Sequence, residues 1–147
     1  MYKHLLVPTD GSKLSDKAVV QAIELAKALE ADITFLHATP GMPRPVYADG
    51  VSVEMVSRKE FTQRAKADAA KLLGKTSAKA NAAGIEAKVV HVFTDTPWES
   101  IVAVAKKVKA DAIVMASHGR RGIASLLLGS ETTKVLTHST VPVLVVR

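Results

Sequence analysis

The feature that most constrains this chain is an alternation of short apolar runs with longer stretches of helical periodicity, sustained from end to end. Lys3-His-Leu-Leu-Val-Pro8 reads as a strand closed by the turn Pro8-Thr-Asp-Gly11. Ala18, Val19, Ala22, Ile23, Leu25, Ala26 and Leu29 follow at helical spacing, with Ser12 or Ser15 available as N-cap. Asp32-Ile-Thr-Phe-Leu-His-Ala38 is a second strand, and the prolines and glycine of Thr39-Pro-Gly-Met-Pro-Arg-Pro45 make a loop. A long helix is predicted from Met55 to about Ala83, with Phe61, Ala65, Ala69, Leu72, Ala80 and Ala83 as its apolar stripe and Gly84 as its terminator. Glu86–Phe93 is the third strand. Thr96-Pro-Trp-Glu99 carries a capping-box pattern with Pro at the first helical position. Asp111–Ala116 is a fourth strand, a helix is predicted near Glu131–His138, and Val143–Val146 is the last strand.

Strands that alternate with helices argue for an α/β fold, an open five-stranded parallel sheet with helices on both faces. The nearly uninterrupted apolar runs at 111–116 and 143–146 agree, because a strand covered on both sides has no polar face to show. A length of 147 residues fits one domain, 1–147, at roughly 150 residues per domain. No apolar run approaches the ~20 residues that span a bilayer, and the apolar start at Leu5–Pro8 is too short for a signal-peptide core. The chain has no Cys, which excludes disulfides, thiolate metal sites and a cysteine nucleophile and fits a reducing compartment. A soluble cytoplasmic protein without a membrane partner is expected.

The formal charge of +6 favours anionic partners without choosing among them. Aromatic residues make up only 4% of the chain, poor stock for stacking bases. Arg64, Lys71, Lys75 and Lys79 share one face of the long helix; a solvated outer face explains them better than nucleic acid does, so nucleic acid is not expected as a partner.

In an open α/β sheet, ligands bind beyond the carboxyl ends of the strands where the strand order reverses. The loops to inspect are therefore Pro8-Thr9-Asp10, His37-Ala38-Thr39, Thr94-Asp95 and Ser117-His118-Gly119-Arg120-Arg121-Gly122. Gly129-Ser130 opens the last helix, where free N–H groups and the helix dipole suit a phosphate. Ser130 would add a hydroxyl donor and a cap, and Arg120 and Arg121 charge-assisted contacts. The plain alternative is an ordinary N-cap beside two solvated arginines. His37, His91 and His118 fall at or near strand ends without metal-ligand spacing, so hydrogen-bonded loop histidines are the better reading and no metal site is expected. His118, inside the glycine loop, is the best placed for function. Ser12, Ser117 and Ser130 lack the nucleophile elbow of a hydrolase and read as caps and turn bonds.

Val7-Pro-Thr-Asp-Gly-Ser12, Leu36-His-Ala38, the stretch Met115-Ala-Ser-His-Gly-Arg-Arg-Gly-Ile-Ala-Ser-Leu-Leu-Leu-Gly-Ser130 and Pro142-Val-Leu-Val-Val146 resemble the universal stress protein family along the whole chain. The resemblance implies strand order 3-2-1-4-5, an adenine nucleotide alpha hydrolase-like fold, and binding of ATP or another adenine nucleotide, with a divalent ion such as Mg carried on the phosphates. It places Pro8, Thr9 and Asp10 at the adenosine end, the Ala38 backbone at the adenine edge, and Ala116 beside the ribose; Met115, next to Ala116, is a further candidate for the nucleotide site. Gly119, Gly129 and Ser130 fall at the phosphates by the same resemblance, with the backbone of Glu131 and Thr132 nearby; His118 and Arg120 join the candidates from their place in the glycine loop. The family's ATP motif G-x-x-G-x9-G-[ST] is matched by Gly119, Gly129 and Ser130, while Ala116 replaces its first glycine. Asp95 stands near a second position where the family has glycine. The resemblance also implies a homodimer through Val143, Leu144, Val145 and Val146, an apolar edge that needs covering. No P-loop pattern and no group to orient a nucleophile are visible, so binding with slow or no turnover is expected rather than catalysis. The rival is a dimeric stress-response module that does not bind nucleotide.

Overall fold

A computed structural model describes residues 1–44, 46–48, 51–53, 57–119 and 128–147, with the backbone alone at 46–48 and 51–53. Five strands form one parallel sheet: β1 (His4–Pro8), β2 (Asp32–Thr39), β5 (Ala87–Phe93), β6 (Ala112–Ala116) and β7 (Val143–Val146). Their order is β5-β2-β1-β6-β7, the 3-2-1-4-5 arrangement. A short antiparallel hairpin, β3 (Val46–Ala48) and β4 (Val51–Val53), stands apart from the sheet. No run in the sequence announces it, because three residues are too few for alternation to be read.

The pleat sends alternate residues to opposite faces, and each face has its own core. Leu5, Val7, Ile33, Phe35, Ala112, Val114 and Ala116 pack on one side with Ala18, Val19, Ala22 and Ala26 of α1 (Lys13–Leu29) and Leu73 and Ala80 of α2 (Arg58–Ala82). Leu6, Leu36, Ile113 and Met115 pack on the other with Ile101, Val104 and Ala105 of α3 (Pro97–Lys107) and Val135 of α4 (Ser130–His138). Helices therefore cover both faces.

Helix ends follow local chemistry. Ser12 is the N-cap of α1 and accepts from Ser15 N–H at 3.2 Å. Ser57 caps α2 in the same way; the predicted start at Met55 lies outside the described residues. The end of α2 is a Schellman motif: Gly84 N–H donates to Asn81 C=O at 2.9 Å and Ile85 N–H to Ala80 C=O at 3.0 Å. Gly84 has φ +81°, the left-handed conformation that its lack of a Cβ permits. The buried stripe of α2 is Ala69, Leu73, Thr76 and Ala80, so Leu73 rather than Leu72 points most directly at the sheet. Thr96 begins α3 and Pro97 follows at the first helical position, but the capping box does not close. Thr96 hydroxyl donates to Glu99 Oε2 at 3.2 Å and accepts no helix N–H.

Candidate functional site

The chain leaves β1 toward β2 and β5 on one side and later fills β6 and β7 on the other, so the strand order reverses between β1 and β6. The loops that follow these two strands meet. A Cβ built on Gly119 would lie 2.6 Å from Asp10 Oδ2, so the glycine backbone runs directly against the Asp10 carboxylate. Asp10 is oriented by Ser12 N–H, which donates to its Oδ1 at 2.9 Å. Thr9 is buried beneath it, its hydroxyl 3.1 Å from that of Ser15.

The N-terminus of α4 closes the same crevice. Gly129 N–H donates to Ser117 C=O at 2.7 Å, and Thr133 N–H makes the first intrahelical bond to Gly129 C=O at 2.9 Å. Gly129 is thus the N-cap and Ser130 the first helical residue. This corrects the assignment of Ser130 as a cap and leaves its exposed hydroxyl free of that duty. The N–H groups of Ser130, Glu131 and Thr132 find no acceptor among the described residues, as expected for a helix start that awaits solvent or an anion. Gly129 is needed for closeness rather than for handedness: its φ is −69°, but an added Cβ would sit 3.1 Å from both His118 Cα and Ser117 O.

A third element is the end of β2. Pro8 is the last β1 residue paired with β2, opposite Leu36, and Thr9 N–H donates to Leu36 C=O at 2.8 Å. Backbone groups alternate sides along a strand, so Ala38 turns its N–H and C=O the same way as Leu36. At that height β1 has already ended, and the Ala38 pair meets no backbone partner among the described residues on that side. An open donor and acceptor on one strand edge match the edge of a planar heterocycle. His37 holds the adjoining turn: its Nδ1–H donates to Thr9 C=O at 2.8 Å, which fixes the tautomer. This tie between residues 28 apart was not legible in the sequence, which showed only a histidine at a strand end. His37 also stacks on His91 at 6.0 Å, and His91 Nε2 lies 2.8 Å from Thr39 Oγ1. Burial, then His37 and Lys66, hold the His91 pKa below its ordinary value.

The remaining candidates divide. Ala116 ends β6 in the α1-side core, and its C=O accepts from Thr132 Oγ1 at 3.0 Å. Thr132 is therefore spent through its side chain on joining α4 to the sheet. Met115 packs its side chain into the core on the α3 and α4 side. Glu131 turns its carboxylate out of the crevice, where Oε2 accepts from Trp98 N–H at 2.9 Å. His118 stands half-exposed beside Gly129, its Nδ1 3.3 Å from Ser117 Oγ. Arg120 and Arg121 lie outside the described residues. Asp95 Oδ1 accepts from Gly41 N–H at 3.0 Å and so joins the loops after β2 and β5. Among the described residues, no three His, Asp or Glu side chains are grouped to hold a metal, and no helix is long and apolar enough to cross a membrane. A separate cleft of about 350 Å³ between α2 and β5, lined by Lys66, Ala70, Leu73, Val89 and His91 among others, shares no residue with the strand-end crevice.

The model of the Universal stress protein family matches residues 1–147. Universal stress protein MJ0531 of Methanocaldococcus jannaschii is 33% identical over 100% of this chain and 83% of its own length. The solved structure of MJ0577 superposes with a TM-score of 0.80 at 27% identity, covering 99% of this chain and 96% of that one. A universal stress protein solved in complex with cAMP superposes with a TM-score of 0.71 at 28% identity, covering 99% and 97%. Sequence, strand order and these comparisons agree: the chain belongs to the universal stress protein family.

Proposed function

We propose that this protein binds an adenine nucleotide at the crevice between β1 and β6 and serves as a regulatory protein of the universal stress response. The carrying observation is the N-terminus of α4, whose first N–H groups meet no acceptor among the described residues and which packs through Gly129 so closely that an added Cβ would crowd Ser117 and His118, beside the meeting of Asp10 with Gly119. The open backbone pair of Ala38 supplies an adenine edge, and Asp10 an acceptor for the ribose. The N–H groups of Ser130 to Thr132 and the Ser130 hydroxyl supply phosphate donors, with the neighbouring helix dipole favouring negative charge. The relative bound to cAMP supports an adenine ligand in this fold. ATP is the nucleotide the glycine pattern favours, with Mg riding on its phosphates. Among the described residues none is placed to orient an attacking water, which supports a reading of binding with at most slow hydrolysis.

The same reading includes a cytoplasmic location, in keeping with the absence of Cys, and a homodimer. β7 is the edge of the sheet, Val143 and Val145 are half-buried, and Leu144 is 47% exposed. Such an apolar edge calls for a second copy. Calorimetry with adenosine, AMP, cAMP, ADP and ATP, with and without Mg²⁺, tests the site. Binding of adenine nucleotides, strongest for those that reach α4, is expected. If none of the five binds, the dimeric regulatory module without nucleotide is the correct reading.

A further inference from the structure

We propose that Glu131 is a positioning residue, whose carboxylate fastens the phosphate-facing turn of α4 to the start of α3 and in doing so stays out of the crevice. The inference rests on the nucleotide reading above. Glu131 is the second residue of α4, so its own N–H is one of the donors there that meet no acceptor among the described residues. A carboxylate at that place can fold back onto those donors, as acids in first turns do, and would then compete with a phosphate for them. The structure gives it another task. α3 begins at Thr96 without a side-chain cap, since the Thr96 hydroxyl is turned to Glu99. Trp98 N–H, an orphan donor of that helix start, is instead satisfied by Glu131 Oε2 at 2.9 Å, across 33 residues of chain. Lys134 Nζ, 3.4 Å from Oε1, holds the carboxylate from the other side. One side chain thus caps α3 from α4, and the two helix starts move as a unit. The negative charge is drawn to the positive end of α3 and away from the ligand.

Two properties are separable by substitution. Glu131→Gln keeps an acceptor of the same reach and removes the charge. Glu131→Ala removes both, and Glu131→Asp keeps the charge but falls one methylene short of Trp98. Calorimetry with ATP and with adenosine reads the site, and emission of Trp98, the single tryptophan, reads the α3 end. The alanine variant is expected to bind ATP about fivefold more weakly, the factor that a cap of ordinary strength controls. Its adenosine affinity should stay within about twofold of the parent, and Gln should restore ATP binding to within about twofold. Asp should be at least as impaired as Ala, and both should shift the Trp98 emission while Gln does not. The proposal is overturned if Ala binds ATP like the parent, if Gln is as weak as Ala, or if ATP and adenosine weaken together. A parent that binds no adenine nucleotide overturns the functional reading and this proposal together; a parent that binds, with variants that match it, overturns this one alone. The Glu131 side chain is 39% exposed, so all three variants are expected to fold.

Discussion

Gly129→Ser sets two physical effects against each other at the mouth of the site. Serine is a better N-cap than glycine by only a few tenths of a kcal/mol, so capping alone predicts a slightly more stable protein. The backbone raises no objection, because Gly129 has φ −69° and ψ 156°, which any residue adopts. The objection is steric. The new Cβ would stand 3.1 Å from Ser117 O, 3.1 Å from His118 Cα and 3.2 Å from His118 Cβ. Ser117 cannot yield easily: it is buried, its N–H donates to Val146 C=O at 2.8 Å and its C=O takes the Gly129 N–H at 2.7 Å. Overpacking of this kind costs about 1–3 kcal/mol, which exceeds the capping gain. The net loss of about 1–2 kcal/mol should lower the melting temperature by roughly 2–8 °C in a domain of this size. ATP binding should weaken as the turn is pushed off Ser117, with adenosine affected less. Differential scanning calorimetry on parent, Gly129→Ser and Gly129→Ala gives the answer. A serine variant that melts at or above the parent temperature would show that the 117–118 turn gives way freely, and the closeness argument for this glycine would fail.

Two titrations and one assembly state offer further tests. His91 has its pKa lowered in the fold, so the unfolded chain takes up that proton first; stability is full above about pH 6.5 and is lost as pH falls through that value toward the lower folded pKa. Thermal melts between pH 7.5 and 5 should show this loss in the parent and a flatter profile in His91→Gln; equal slopes would remove His91 as the source. Asp111, at the opposite end of the sheet, accepts from Lys3 N–H and His4 N–H at 2.5 and 2.8 Å, and these bonds hold its pKa below the ordinary value. Its contribution is full above the ordinary carboxylate pKa and is lost as pH falls through the folded one, so Asp111→Asn should destabilise at pH 7 and converge with the parent in strong acid; a constant difference across pH would refute the assignment. Val145→Pro removes an edge N–H on β7 and should shift the protein from dimer to monomer in sedimentation velocity; an unchanged dimer would place the interface elsewhere.

The sheet was legible because its evidence is local. Leu5–Val7 and Ala112–Ala116 are apolar in unbroken runs and Ile33–Leu36 is interrupted by Thr34 alone, and a buried parallel strand leaves that trace in any sequence. The register of α2 was less so. Its fully buried stripe includes Thr76, whose hydroxyl bonds back to Leu72 C=O at 2.9 Å, and a count of apolar residues passes over a threonine and settles on Leu72. The site divides the same way. Asp10, Gly119, Gly129 and Ser130 stand out as short motifs at strand ends, and the fold brings them together. The bond from His37 to Thr9 and that from Trp98 to Glu131 join residues 28 and 33 apart, and no spacing rule connects them. Glu131 in particular looks like an ordinary first-turn acid until α3 is seen to lack its own cap.

Ala116 shows why a departure from a family pattern has to be judged by conformation. A glycine can be required for positive φ or for room, and the two requirements predict different costs when alanine replaces it. Among the described residues, positive φ outside glycine occurs only at Glu30 and Lys109, so Ala116 carries no such strain. It is a regular residue of β6, opposite Val146, and it packs in the core on the α1 side. Its carbonyl is already held by Thr132. Asp95, the other departure, is likewise held in place, by Gly41 N–H. Neither change reaches the three N–H groups at the start of α4 or the contact of Asp10 with Gly119. The features on which an anion would rest are therefore set by Gly119 and Gly129, where an added methyl meets atoms within 3.1 Å, and not by the glycine that this chain has exchanged.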